Sequence, residues 1–125
     1  MSASHRLHVD ALTAQENRAA YGKCNNPHGH GHNYVVEVMV GGPVDADTGM
    51  VMNLADLDRV VNERVVDRFD HRNLNLDPAF ERKVPTTENF SRIVFEILRD
   101  ALPEGSLEHV RIEETENNFF ECYGA

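Results

Sequence analysis

The stretch TTENFSRIVFEILRDALPEGSLEHVRIEETENNFFECY, residues 86–123, holds one helical pattern followed at once by two strand patterns. Thr86-Thr87-Glu88 offers hydroxyl and acidic groups to the exposed N–H groups of a helix start. Phe90, Ile93, Val94, Ile97 and Leu98 then recur at helical spacing and make one apolar face. Pro103-Glu104-Gly105 closes that helix, and the periodicity shifts from helical to alternating. Two strands are predicted over about 107–114 and 118–123, joined by a tight turn at Thr115-Glu116-Asn117. A helix feeding a hairpin is the unit of an α+β fold, an antiparallel sheet with helices on one face.

The upstream sequence repeats the theme. Thr13-Ala14-Gln15-Glu16 is a capping-box pattern, opening a short helix toward Tyr21 that stops at Gly22. Residues 1–8 read as short and extended, and residues 23–32, rich in Asn, Gly and His, as a loop. The Val-rich run Asn33 to Val40 reads as a strand ended by Gly41-Gly42-Pro43. A second loop, residues 45–49, leads into a short extended stretch at Met50-Val51-Met52. Asn53 caps a second helix, whose apolar face Leu54, Leu57, Val60, Val61 and Val65 runs to about Phe69. There are no internal repeats or linkers, so residues 1–125 are expected to form one domain.

Composition narrows the function. Hydrophobic residues make up 41% and charged residues 26% of the chain, the balance of a globular protein, and no apolar run could span a bilayer. A formal charge of −9 argues against nucleic acid, whose binding rests on Lys and Arg neutralising phosphates. With Cys24 and Cys122 the only cysteines, and no apolar secretory stretch at the N-terminus, a reducing cytoplasm is expected.

The loudest chemical signal is His28-Gly29-His30-Gly31-His32. In an extended chain, side chains at i and i+2 share a face roughly 6.6 Å apart, so two such imidazoles can converge on one ion. The outer pair, roughly 13 Å apart, cannot join them without curling, so either His28 or His32 is a bystander. A further ligand comes from His5, His8, His71 or His109, with the acids behind them; alternation puts His5 and Leu7 on one strand face and Arg6 and His8 on the other, and the residues alone do not choose. Three protein nitrogens with an open fourth position are the pattern of a catalytic zinc, set against an ordinary solvated His-Gly loop. Cys24, six residues before His30, is either a small buried hydrophobe or a thiol serving as ligand, nucleophile or base. Cys122 reads only as core.

Taken together, residues 2–7 (SASHRL), 22–27 (GKCNNP), 29–34 (GHGHNY), 48–57 (TGMVMNLADL), 70–74 (DHRNL), 86–89 (TTEN) and 113–115 (EET) closely resemble the 6-pyruvoyl-tetrahydropterin synthase family, in order and over nearly the whole chain. The resemblance implies zinc ligands His5, His30 and His32, with His28 the bystander. It implies Cys24 as catalytic base, Asp70 and His71 as a proton relay, and Glu114 as the acid anchoring a pterin ring through two parallel N–H donors. Thr86, Thr87 and Glu88 become candidate substrate contacts, against the simpler role of a helix cap. Asp70-His71, by itself an exposed pair after a helix end, gains its function only from the resemblance.

The fold so implied is the tunnelling fold: a four-stranded antiparallel sheet with two main helices on one face, three subunits closing a barrel, and two trimers stacked into a homohexamer with active sites at subunit interfaces. The implied reaction converts 7,8-dihydroneopterin triphosphate to 6-pyruvoyl-tetrahydropterin with loss of triphosphate. Zinc there acts as a Lewis acid on the side-chain hydroxyls. Relatives carry a longer first strand than the four residues before His5 supply, which fits a shortened first strand and a wrongly assigned start equally well. The cations near the motifs are Arg6, Lys23 and Arg72. A sister activity, 6-carboxytetrahydropterin synthase, shares substrate and metal, but its cysteine tends to sit three residues before the His-Gly-His, whereas here residues 25–29 separate Cys24 from His30. A non-enzymatic pterin or metal binder is the remaining alternative, and it would not need a thiol base.

Overall fold

The structure is a computed structural model that describes residues 1–124. In chain order it contains β1 (Ser2–His5), α1 (Ala14–Tyr21), β2 (His30–Asn33), β3 (Val35–Val40), α2 (Leu54–Val61), α3 (Asp67–Phe69), β4 (Arg72–Asn73), α4 (Thr87–Ala101), β5 (Leu107–Thr115) and β6 (Asn118–Cys122). Single 3-10 turns occupy Gly22–Asn25, Leu74–Leu76 and Pro78–Phe80. No helix among the described residues is long and apolar enough to cross a membrane.

The helix ends form where local chemistry predicts them. Thr13 and Glu16 make a reciprocal capping box on α1, and the N–H of Gly22 returns to the carbonyl of Arg18. Thr86 Oγ1 accepts the N–H of Asn89 at the start of α4. The α4 face also behaves as its spacing predicts: Phe90, Ile93, Val94 and Leu98 are buried and Ile97 packs against them.

The second helix departs from expectation. Its buried residues are Leu57, Val65 and Phe69, with Val61 partly buried, whereas Leu54 is 68% exposed. The steps 57, 61, 65 and 69 are four residues each, and at 3.6 residues per turn such a row drifts around the helix by about 40° per step. The chain corrects the drift with a wider π-helical turn at Asn62–Val66, which separates α2 from α3 and keeps Val65 and Phe69 facing inward.

The strands form two three-stranded ladders, β2-β1-β4 and β3-β5-β6, in place of one four-stranded antiparallel sheet, and the β1–β4 pairing is parallel. The physical reason lies at Tyr34. Residues 30–40 run nearly continuously, but the first half pairs with β1 (His5 opposite His30, Ser2 opposite Asn33) and the second with β5 (Val35 opposite Glu113). Tyr34 marks the change, its N–H bonded to Met1 O and its ring buried. The expected loop over 23–32 is therefore a 3-10 turn followed by a strand, with only 26–29 irregular. Gly29 is required there: its φ is 81°, and a Cβ would fall 2.9 Å from His5 O. Met50–Met52, expected to be extended, form no strand, and Val51 and Met52 lie in a bend.

Alternation places Val36, Val38 and Val40 of β3, Val110 and Ile112 of β5, and Cys122 of β6 toward the core. Phe90 stands at its centre, edge-on to Tyr34 and Phe69 and tilted by 60° against Phe80, at 5.2–6.0 Å between ring centroids. The mixed α+β architecture of small sheets and a few helices thus carries its core under one face of β3-β5-β6.

Candidate metal and active site

The β1–β2 ladder builds the site. His5 sits opposite His30, and Ala3 opposite His32. His5 is fully buried, and its Nδ1 is 2.8 Å from Pro85 O, so Nδ1–H donates to that carbonyl and Nε2 is left as a lone-pair donor. His5 Nε2 meets His32 Nε2 at 3.1 Å, across the diagonal of the ladder. Glu114 Oε1 lies 2.7 Å from His32 Nε2 and 3.9 Å from His5 Nε2, and Cys24 Sγ lies 3.7 Å from His32 Nε2. One ligand atom from each of His5, Cys24, His32 and Glu114 falls within 4.8 Å of all the others.

Each member arrives by a different local device. Glu114 extends the inward row of Val110 and Ile112, and the β5–β6 register shifts between Glu113 and Thr115, the kind of bulge that re-aims a side chain. Its second oxygen accepts a short hydrogen bond from Thr87 Oγ1, and Asn118 Nδ2 is 3.4 Å away. Cys24 lies on the 3-10 turn after α1, which is tied to the segment just after β1 by the Leu7 N–H to Cys24 O bond of 2.7 Å.

The electrostatics explain what the cluster asks for. Burial lowers the pKa of His5 below its ordinary value, with only partial compensation from the Pro85 hydrogen bond. Burial likewise lowers His32, opposed by the charge of Glu114. Both imidazoles are therefore held neutral, which is the ligating form. The Cys24 thiol is pushed up, first by burial and then by Glu114, and burial also raises the Tyr34 phenol far above its usual range. Two neutral imidazole nitrogens, a carboxylate oxygen and a thiol sulfur thus converge within 4.8 Å of one another. A divalent cation fits this donor set of nitrogen, oxygen and sulfur.

The other candidates stand further out. The ring of His30 is 4.8 Å from that of His32, adjacent to the group but outside it. His28 is exposed and also outside it. Thr86 caps α4, and Glu88 is exposed on its first turn. Asp70 Oδ1 accepts the Ser2 N–H at 2.8 Å, a bond that lowers its pKa, and Oδ2 lies 3.0 Å from His71 Nδ1. The His71 side chain is 82% exposed on a backbone with φ of 58°, a left-handed conformation that a non-glycine residue seldom adopts. Within this chain Asp70 and His71 do not join the Cys24 group.

Two residues were missed in the sequence. Tyr34 Oη lies 3.2 Å from His5 Nδ1, and its position two residues beyond His32 on one strand face was a usable signal. The Pro85 carbonyl that orients His5 carries no signal, since any residue supplies a carbonyl.

Comparison with known proteins agrees with this geometry. The family described as 6-pyruvoyl tetrahydropterin synthase matches residues 1–125. The 6-pyruvoyl tetrahydrobiopterin synthase of Homo sapiens is 50% identical over 118 residues, covering 94% of this chain and 81% of the human protein. That of Poecilia reticulata is 49% identical over 118 residues, with 94% and 80% covered. The solved structure of the Caenorhabditis elegans 6-pyruvoyl tetrahydropterin synthase superposes with a TM-score of 0.92 at 44% identity, covering all of this chain and 90% of that one. The chain thus belongs to the 6-pyruvoyl tetrahydropterin synthase family.

Proposed function

We propose that this chain, acting as one domain, is a zinc-dependent lyase that converts 7,8-dihydroneopterin triphosphate to 6-pyruvoyl-tetrahydropterin and releases triphosphate. The observation that carries the reading is the convergence of His5, His32, Cys24 and Glu114 within 4.8 Å. His5 and His32, with neighbouring His30, are the nitrogens that would hold zinc. When bound, the ion supplies Lewis acidity toward substrate hydroxyls and stabilises the thiolate of Cys24.

The protein residues divide the remaining work. Cys24 takes a carbon-bound proton as general base. The Glu114 carboxylate, pinned by Thr87, accepts paired N–H donors from the pterin edge. Thr86 and Glu88 flank that contact at the start of α4. His71, oriented by Asp70, shuttles protons. Its exposure suits a role across a subunit contact, so we assign the working form to a homohexamer of two stacked barrel trimers, with sites at subunit interfaces. We place it in the cytoplasm, where Cys24 stays reduced.

The test is incubation of zinc-loaded protein with 7,8-dihydroneopterin triphosphate, following triphosphate release and the pterin mass. The pyruvoyl product is expected, and Cys24→Ala should retain metal but lose at least about 100-fold in turnover. A 6-carboxy product with acetaldehyde would move the chain to the sister reaction.

A further inference from the structure

A carboxylate has two oxygens, and those of Glu114 face different neighbours. Oε1 lies 2.7 Å from His32 Nε2 and 3.9 Å from His5 Nε2, and these two nitrogens are 3.1 Å apart. Oε2 accepts from Thr87 Oγ1, with Asn118 Nδ2 3.4 Å away. The side chain is 10% exposed, so protein groups rather than water set its pose.

The three inward atoms are spaced like the ligands of one ion. A triangle with sides of 3.1, 2.7 and 3.9 Å has its centre about 2.0 Å from each corner, which matches Zn–N bonds of about 2.0–2.1 Å and Zn–O bonds of about 2.0–2.2 Å. His30, whose ring is 4.8 Å from that of His32, supplies no atom to this triangle. Cys24 Sγ stands beside it, 3.7 Å from His32 Nε2. Two imidazole nitrogens and one carboxylate oxygen are a donor set found at catalytic zinc.

The same pose conflicts with holding a pterin. Two parallel N–H donors of a ring edge need a free lone pair on each carboxylate oxygen, presented side by side. With Oε1 turned to the imidazoles and Oε2 taken by Thr87 and Asn118, the carboxylate has no such pair to offer. Glu114 serves the metal or the ring, not both at once.

We propose that Glu114 is a metal ligand of the substrate-free protein through Oε1, and that seating the pterin ring withdraws it and opens that position on the ion. The withdrawal rests on the pterin reaction proposed above; the ligand role in the free protein rests on geometry alone. A ring that must win the carboxylate from the ion binds against a penalty, and the penalty is reciprocal, so the ring weakens the metal as much as the metal weakens the ring. Hydroxyl compounds that lack the ring meet an ion whose position is still filled.

The experiment measures zinc affinity by competition with a chromophoric chelator, for wild type and Glu114→Gln, with and without saturating 6-methylpterin. That probe has the N–H edge of the ring and no side-chain hydroxyls. Cobalt(II) in place of zinc reads the ligand set from its visible absorption band. Glu114→Gln should weaken zinc about tenfold and shift the cobalt band. In wild type, 6-methylpterin should do the same by a similar factor, and calorimetry should find it bound about tenfold tighter to metal-free than to zinc-loaded protein. Equal zinc affinity in wild type and Glu114→Gln, with an unchanged cobalt band, overturns the ligand role. Zinc affinity in wild type that is indifferent to bound 6-methylpterin, or raised by it, overturns the withdrawal. If 6-methylpterin does not bind wild type, the pterin reading falls, and the zinc and cobalt comparison of the two proteins still decides the ligand role.

Discussion

His5 Nε2 and His32 Nε2 approach to 3.1 Å, although the ladder pairs His5 with His30 and His32 with Ala3. The two rings reach each other across the diagonal, nearly perpendicular at 75°, and His5 is locked in that pose by Pro85 O. At 3.1 Å the two nitrogens can share an N–H···N hydrogen bond, and the same closeness suits two nitrogens each about 2.0–2.1 Å from one zinc ion.

His32→Ala should therefore lower zinc affinity at least about 100-fold, since even removal of a ligand's supporting hydrogen bond commonly costs 10- to 100-fold. Competition against a chromophoric chelator measures this. Retention of wild-type affinity would place the ion elsewhere.

Acid should weaken the metal-free protein. His5 and His32 have folded pKa values below the ordinary imidazole value of about 6.5, so between those values the unfolded chain binds more protons. Stability is then full above about pH 6.5 and declines as pH falls below it. Melting temperatures of metal-free protein across pH 8 to 5 check the sign; His5 and His32 NMR titrations at or above 6.5 would contradict it.

Thr87→Val keeps the shape of the residue and removes the hydroxyl that donates to Glu114. Losing a hydrogen bond to a charged acceptor costs about 1.5–3 kcal/mol, so KM for the pterin substrate should rise about tenfold or more. Thr87→Ser should recover most of it. Steady-state kinetics with both variants separates a positioning role from simple packing.

Phe90→Ala removes the ring that meets Tyr34, Phe69 and Phe80 in the buried core. The cost should be about 3–5 kcal/mol, read as a lower denaturant midpoint with the slope unchanged. A loss under about 1 kcal/mol would mean that the core collapses around the gap.

Much of this molecule is written in short-range pattern. The capping box at Thr13, the apolar face of α4 and the β5–β6 hairpin are each set by neighbours within a few residues. The pattern misled at residues 23–32, where Gly and His imitate a loop, because β2 forms only through partners in β1. It also concealed the π-helical turn after α2, since a four-residue apolar row and an α-helical one look alike over a short window.

For the site, the sequence by itself determined that imidazoles cluster in the His-Gly-His run, and family resemblance supplied only the expected roles of Cys24, Glu114, Asp70 and His71. Tertiary structure alone decided that Glu114 reaches His32 and that Pro85 holds His5. It also decided that Asp70 and His71 stand apart from Cys24 within this chain. The reason is range: periodicity and capping act over a turn or a strand pair, whereas the meeting of residues 5, 24, 32 and 114 depends on how a bulge, a 3-10 turn and two ladders are packed together.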